Sequence, residues 1–472
     1  MRRRQIMKKA AAILITAAMA AGLTACGSKT SNVQSTTADM GTAKEEKTMA
    51  ADDKTMEDKG SGEAVTLTMW VESKNETDIK QELDDEFMEA NPDIILNKVM
   101  KEGDPGNDFY QGVAAGNAPD CVTVSFTLMD KYANAGILAP LNQYFEQWDE
   151  KDGFSQNYVD MFTKDGNLYG ITAIDANFLL AYNKAVFKDA GIDNPPATWD
   201  EAYEIAKKIT NPDTQTYGYG VLGSEWTDWF FQYYVWQAGG DLTKRNADGT
   251  LELTFTDPAV IEAAKYYQKL RRDGVSQQDL TLKFNELIEK FAQGKIAMMP
   301  FATDWVSTAA SLGAKVEDIG LCPFPAGPSG KSVTTSLGYN WVINAKSSQE
   351  KQDAAWRYIA FMSSRAAMER TIEGSADKGA VDPIHYPRTD VNMSELTDMN
   401  PEYEEVLKEI EGTGRLEYEG KDIISPYVDR TVQKILADLN ADPEKEFAAA
   451  KEQAQKEVVE QYNKEVLEKS GN

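Results

Sequence analysis

Apolar residues recur along this chain in two alternating rhythms, and the alternation sets the architecture it predicts. Val65 to Trp70 reads as a strand, and Ile79, Leu83 and Phe87 then fall on one helical stripe that Asn91-Pro92 ends. Ile94 to Val99 is a second strand. A helix near Phe109 to Ala115 stops at Gly116, and Ala118-Pro119-Asp120 leads into an apolar strand, Cys121 to Phe126. Further on, Leu179 to Lys184 is a strand running into a short helix, and Thr198 with Glu201 forms a capping box for a helix whose buried stripe is Ala202, Ile205, Ala206 and Ile209. Asn246 to Gly249 has the composition of a hairpin turn. Phe447, Ala450, Ala454, Val458 and Tyr462 mark one stripe of a long C-terminal helix with charged outer faces. Repeated strand-helix-strand units imply an α/β fold, with ligands bound beyond the carboxyl ends of the strands, just after Trp70, Phe126 and Thr172.

Before Val65 the pattern is different. A basic start (Arg2, Arg3, Arg4, Lys8, Lys9) precedes an apolar run from Ala10 to Gly22, too short to span a bilayer, and then Leu23-Thr24-Ala25-Cys26. This reads as a secretory signal over residues 1–25, and it resembles the lipobox of bacterial lipoproteins, in which the cysteine is acylated after cleavage. Residues 27–63 contain no aromatic residue and Val33 as their only branched aliphatic. Such a composition cannot bury enough surface to fold, so residues 26–64 are expected to be an acylated Cys26 and a flexible tether.

Composition narrows the partners. The 472 residues are 42% hydrophobic, enough for more than one core, and the net charge is -27. That charge argues against nucleic acid or an anionic membrane surface, either of which wants a basic patch. No later segment is apolar for long enough to cross a bilayer, which leaves lipid as the only expected anchor. The one histidine, His385, makes metal or triad chemistry through histidine improbable, and a surface or loop position is its default. Cys121 and Cys322 lie in apolar strands and read as buried thiols. Neither a cofactor nor a metal is expected.

Several short segments together resemble the extracellular solute-binding proteins of family 1, the carbohydrate receptors of ABC importers related to maltose-binding protein. They are Gly112 to Asp120, Gly136 to Leu141, Tyr169-Gly170, Tyr182-Asn183-Lys184, Thr198 to Glu201, Phe291 to Met299 and Leu337-Gly338-Tyr339. The resemblance implies a two-lobed, type II periplasmic-binding-protein-like α/β fold with a ligand cleft and several crossings between the lobes. Residues 65–176 plus 320–372 would form the first lobe, and 177–319 plus 373–472 the second. It further implies a monomeric, non-enzymatic receptor that takes a carbohydrate to the permease subunits of an ABC importer. With Cys26, the expected location is the outer face of the cell membrane of a Gram-positive bacterium.

Nine tryptophans give a separate reason to expect a sugar, because the C–H face of a pyranose can lie on an indole plane while carboxylates and amides take its hydroxyls. The resemblance points to Trp229 with Asp228 and to Trp305 with Asp304 in the second lobe. Trp70, Glu72 and Asp175 are the candidates of the first lobe, and Trp226, Tyr339 and Trp341 complete the set. Trp148, Trp199, Trp236 and Trp356 read as core. A lipid-anchored glycoside hydrolase using paired carboxylates is the rival reading; a receptor feeding a membrane sensor is another.

Overall fold

The computed structural model describes residues 64–73, 76–376 and 381–470. The leader, Cys26 and the tether lie outside the described residues.

Local chemistry explains where the elements start and stop. The helix Asp78–Ala90 is capped by the Thr77 side chain, and Asn91 closes it. Gly116 ends Pro105–Ala115 at φ 74°, a left-handed turn that glycine adopts without strain. At Trp199–Ile209, the Glu201 amide donates to Thr198 Oγ1 at 3.3 Å, while the Glu201 carboxylate accepts from the Ala197 amide at 2.7 Å, one residue before the expected partner. Strands Thr243–Arg245 and Leu251–Leu253 form the hairpin around Asn246 to Gly249. The C-terminal helix departs from its expected stripe: a π turn at Gln455–Val459 inserts one residue, so Val459 is buried where Val458 was expected.

Among the described residues the main sheet has nine strands. Its first part runs Ile94–Lys101, Val65–Glu72, Cys121–Ser125, the first two neighbours parallel and the third parallel to the second. Its last part contains Ile296–Ala302 and Tyr217–Tyr219, also parallel. Two long antiparallel strands, Ile171–Asn183 and Thr334–Ile343, join the parts. Ile171–Asn183 pairs through residues 171–177 with Thr334–Ile343 and through 178–182 with Ile296–Ala302.

Hydrophobic burial divides in the same way. Leu67, Phe87, Phe109, Val122, Trp341 and Tyr358 belong to one core. Phe178, Trp229, Phe301 and Tyr403 lie beyond the crossing, beside a larger cluster that includes Phe231, Tyr267, Val428 and Phe447. Leu321, Cys322 and Phe324 side with these latter clusters. The chain therefore returns to the first core through Thr334–Ile343, later than residue 320. Cys121 and Cys322 are buried free thiols, and Trp199, Trp236 and Trp356 are core residues as expected, with Trp148 packed against the first core.

Candidate functional site

Opposed residues of an antiparallel pair share a face, so register decides which side chains meet. Ile174 opposes Tyr339 and Ala176 opposes Leu337. Phe178, two residues further, continues this front face. Asp175 opposes Gly338 and Asn177 opposes Ser336, which puts them on the back face.

The front face carries an aromatic wall. Phe178 lies 4.4 Å from Trp229, 5.4 Å from Trp305 and 4.4 Å from Tyr233, measured between ring centroids. Trp229 and Trp305 are 6.3 Å apart. Phe284 stands 4.3 Å from Trp305 and 5.5 Å from Trp226, extending the wall outward. Trp229 comes from the helix Thr227–Gln237, and Trp305 from the turn Thr303–Trp305 that follows the strand Ile296–Ala302. Burial grades along the wall: Trp229 is buried, Trp305 half-buried, and Trp226 is 51% exposed.

Trp226 is also strained. Its φ is 49°, a left-handed conformation that a bulky side chain rarely adopts.

Tyr339 is 37% exposed. Burial raises its phenol to about 12, helped by the charges of Asp104, Glu72 and Asp304. Glu72 ends a strand of the first core, and Asp304 precedes Trp305, so Tyr339 feels carboxylates from both sides of the crossing.

Other expected residues are placed elsewhere. Trp341 packs edge-on against Tyr358, 5.8 Å between centroids, inside the first core. Trp70 is buried beneath Lys101, whose ammonium sits 3.8 Å from its ring, and its edge fills the space left by Gly112. Asp228 is buried and its carboxylate accepts the Tyr418 hydroxyl at 2.6 Å, while its amide donates to Asp429 of the helix Lys421–Ala437 at 2.9 Å; burial raises its carboxyl while Lys421 opposes. Asp175 lies on the back face, where its Oδ2 accepts the Tyr158 hydroxyl at 2.9 Å. His385 is half-buried on a segment paired to Asp175, and burial lowers its imidazole.

Phe178 and Phe284 belong to the wall but were not among the sequence candidates. The signal for Phe178 was the strand alternation that also carries Ile174 and Ala176. Phe284 opens the helix Phe284–Ala292 and has no such local mark.

Among the described residues, no group of three or more His, Cys, Asp or Glu side chains could hold a metal ion, and no helix is long and apolar enough to cross a membrane.

Two sets of strands joined by crossings, with an aromatic wall on one face of the crossing, define a binding protein of the two-lobed, type II periplasmic-binding-protein-like class. Residues 73–369 match the family described as bacterial extracellular solute-binding protein, and the chain belongs to that family. A binding protein of Brucella abortus is 30% identical over 285 residues, which cover 60% of this chain and 67% of that protein. The diacetylchitobiose-binding protein DasA of Streptomyces coelicolor is 26% identical over 300 residues, 62% of this chain and 68% of its own. Among solved structures, the ABC substrate-binding protein Lmo0181 of Listeria monocytogenes, in complex with cycloalternan, superposes with a TM-score of 0.66 at 24% identity, covering 83% of this chain and 98% of that one.

Proposed function

We propose that this protein captures a carbohydrate between its lobes and delivers it to the permease of an ABC importer, held at the outer face of the cell membrane by lipid on Cys26. The observation that carries the ligand class is the graded aromatic wall from Trp229 through Trp305 to Trp226, with Asp304 beside Trp305 and with Tyr339 feeling the charges of Glu72 and Asp304. Indole and phenyl planes suit the C–H faces of sugar rings, and carboxylates accept their hydroxyls. An elongated wall suits more than one ring, which favours an oligosaccharide. The relatives named above, one for diacetylchitobiose and one bound to cycloalternan, support the same class.

Each lobe would carry its own core, with the crossing strands as the hinge about which the lobes close on the sugar. The basic leader, the apolar run and the small residues before Cys26 support the anchor. The test is a thermal-shift panel of mono-, di- and oligosaccharides on the purified protein. A ligand at 100 times its dissociation constant adds about 2.7 kcal/mol of stability. If no carbohydrate raises the melting point, the ligand class is wrong. Labelling with a radioactive fatty acid, abolished by Cys26→Ala, tests the anchor.

A further inference from the structure

A cavity of about 630 Å³ opens on the back face of the crossing strands, the face of Asp175, Asn177 and Ser336. Tyr158 and Met161 wall it on one side, Met399 and Leu407 on the other. Register separates this cavity from the aromatic wall: Asp175 and Phe178 are three residues apart on one strand, and odd spacings point to opposite faces.

Its polar lining is unbalanced. Asp175 and Asn177 are 2% and 3% exposed, and no donor meets hydrogen-bond geometry at the Oδ1 atom of either, although Ser336, Asn177 and the Leu337 amide lie close enough to Asp175 to favour its charged form. Asp175 Oδ2 takes the Tyr158 hydroxyl, and the Asn177 amide nitrogen donates to the Thr335 carbonyl at 3.4 Å, which fixes the amide with its oxygen unmatched. The cations on the lining are engaged elsewhere. Arg388 is held by Asp390 and Glu150, and Lys408 by Glu404. Glu411 adds further negative charge, felt at Tyr158 and at His385. What this cavity lacks is a charged donor.

Buried acceptors without donors are costly, and a buried carboxylate costs most when no cation faces it. A protonated primary amine supplies three N–H donors and one positive charge, and its carbon body can lie on Met161, Met399 and Leu407. A hard metal ion would ask for six or more oxygen ligands, which two unmatched oxygens do not approach. We propose that this cavity is a second ligand site, for a small organic primary amine whose ammonium group is held by Asp175 and Asn177. It stands independently of what fills the front of the crossing.

Isothermal titration of the full-length protein at neutral pH tests it, with butylamine, 1,4-diaminobutane and glucosamine each compared with its uncharged counterpart: butanol, 1,4-butanediol and glucose. Saturable binding of at least one amine without its counterpart is expected, weakened about tenfold or more in Asp175→Asn and in Asn177→Ala. Binding by no amine at millimolar concentration overturns the proposal, as does equal binding of amine and alcohol, or competition of every bound amine by sodium or calcium ions at equal concentration. If Asp175→Asn fails to fold by circular dichroism, Asn177→Ala decides alone, and unchanged affinity there also overturns it. Trp305→Ala should keep the amine signal. Loss of that signal would move the amine to the front cleft and sink the second site while leaving the carbohydrate reading intact.

Discussion

Asp175 and His385 exchange both of their backbone hydrogen bonds, each 2.9 Å long. With Gly338 paired on its other edge, the crossing strand is three strands wide at Asp175. A crossing of this build cannot slip lengthwise without breaking ladders on two edges. The carboxyl it encloses gives the first prediction.

Burial lifts Asp175 from an ordinary 3.8 to about 7, with the Tyr158 hydroxyl opposing. The groups facing it are Tyr158, Asn177, Ser336, His385 and Glu411. A carboxyl raised on folding keeps its proton longer in the folded state, so folding is most favoured below the ordinary value. Stability then falls as pH rises toward about 7, by at most about 1.4 kcal/mol per pH unit. Asp175→Asn removes that slope. Urea melts of the two proteins across this window should converge at acid pH and favour the variant near neutrality; parallel curves would show that Asp175 does not titrate there.

Trp229 and Trp305 belong to one wall but should respond differently to truncation. Trp229 is buried against Phe178, Phe230 and Tyr233, so Trp229→Ala should cost about 3–5 kcal/mol even without ligand. Trp305 is half-buried and ends the wall toward Phe284. Trp305→Ala should cost less in the unliganded protein and abolish most of the sugar-induced rise in melting point. Equal losses of unliganded stability would make both residues core.

Trp226→Gly separates strain from contact. Glycine relieves the left-handed backbone, worth about 1–2 kcal/mol for an L residue. The unliganded melting point should hold or rise while the sugar-induced shift shrinks. A shift of unchanged size would remove Trp226 from the site.

Gly338→Ala tests the hinge itself. A Cβ there would lie 2.2 Å from the Ile174 carbonyl oxygen and 2.4 Å from the Phe126 ring, where something must move. Destabilisation of about 1–3 kcal/mol is expected in chemical denaturation. Wild-type stability would mean that the strands part easily at this point.

Much of this was legible because it is local. Thr198, Gly116 and the turn at Asn246 act through neighbours within four residues, and the stripe of Asp78–Ala90 follows from spacing alone. The site was only half legible, for reasons of parity and partner. Asp175 was expected at the ligand, yet it lies three residues from Phe178 and so must face away from the wall that Phe178 joins. Trp341 was expected there too, but Tyr358 on the helix Gln349–Met362 claims its ring, a contact no spacing rule reveals. Asp228 looked like a free acceptor until Tyr418, 190 residues away, supplied its donor. The Val459 shift depends on a π turn, which the apolar stripe did not announce.

The strand Ile171–Asn183 is hydrogen-bonded to one strand in its first half and to two others, Ile296–Ala302 and Ile319–Cys322, in its second. A pull that separates the two cores is therefore borne along its peptide bonds, whose covalent strength far exceeds that of any ladder. The crossing is therefore expected to be stiff in tension. A load-extension trace pulled from one core to the other should rise steeply, and give way only when a whole core unravels.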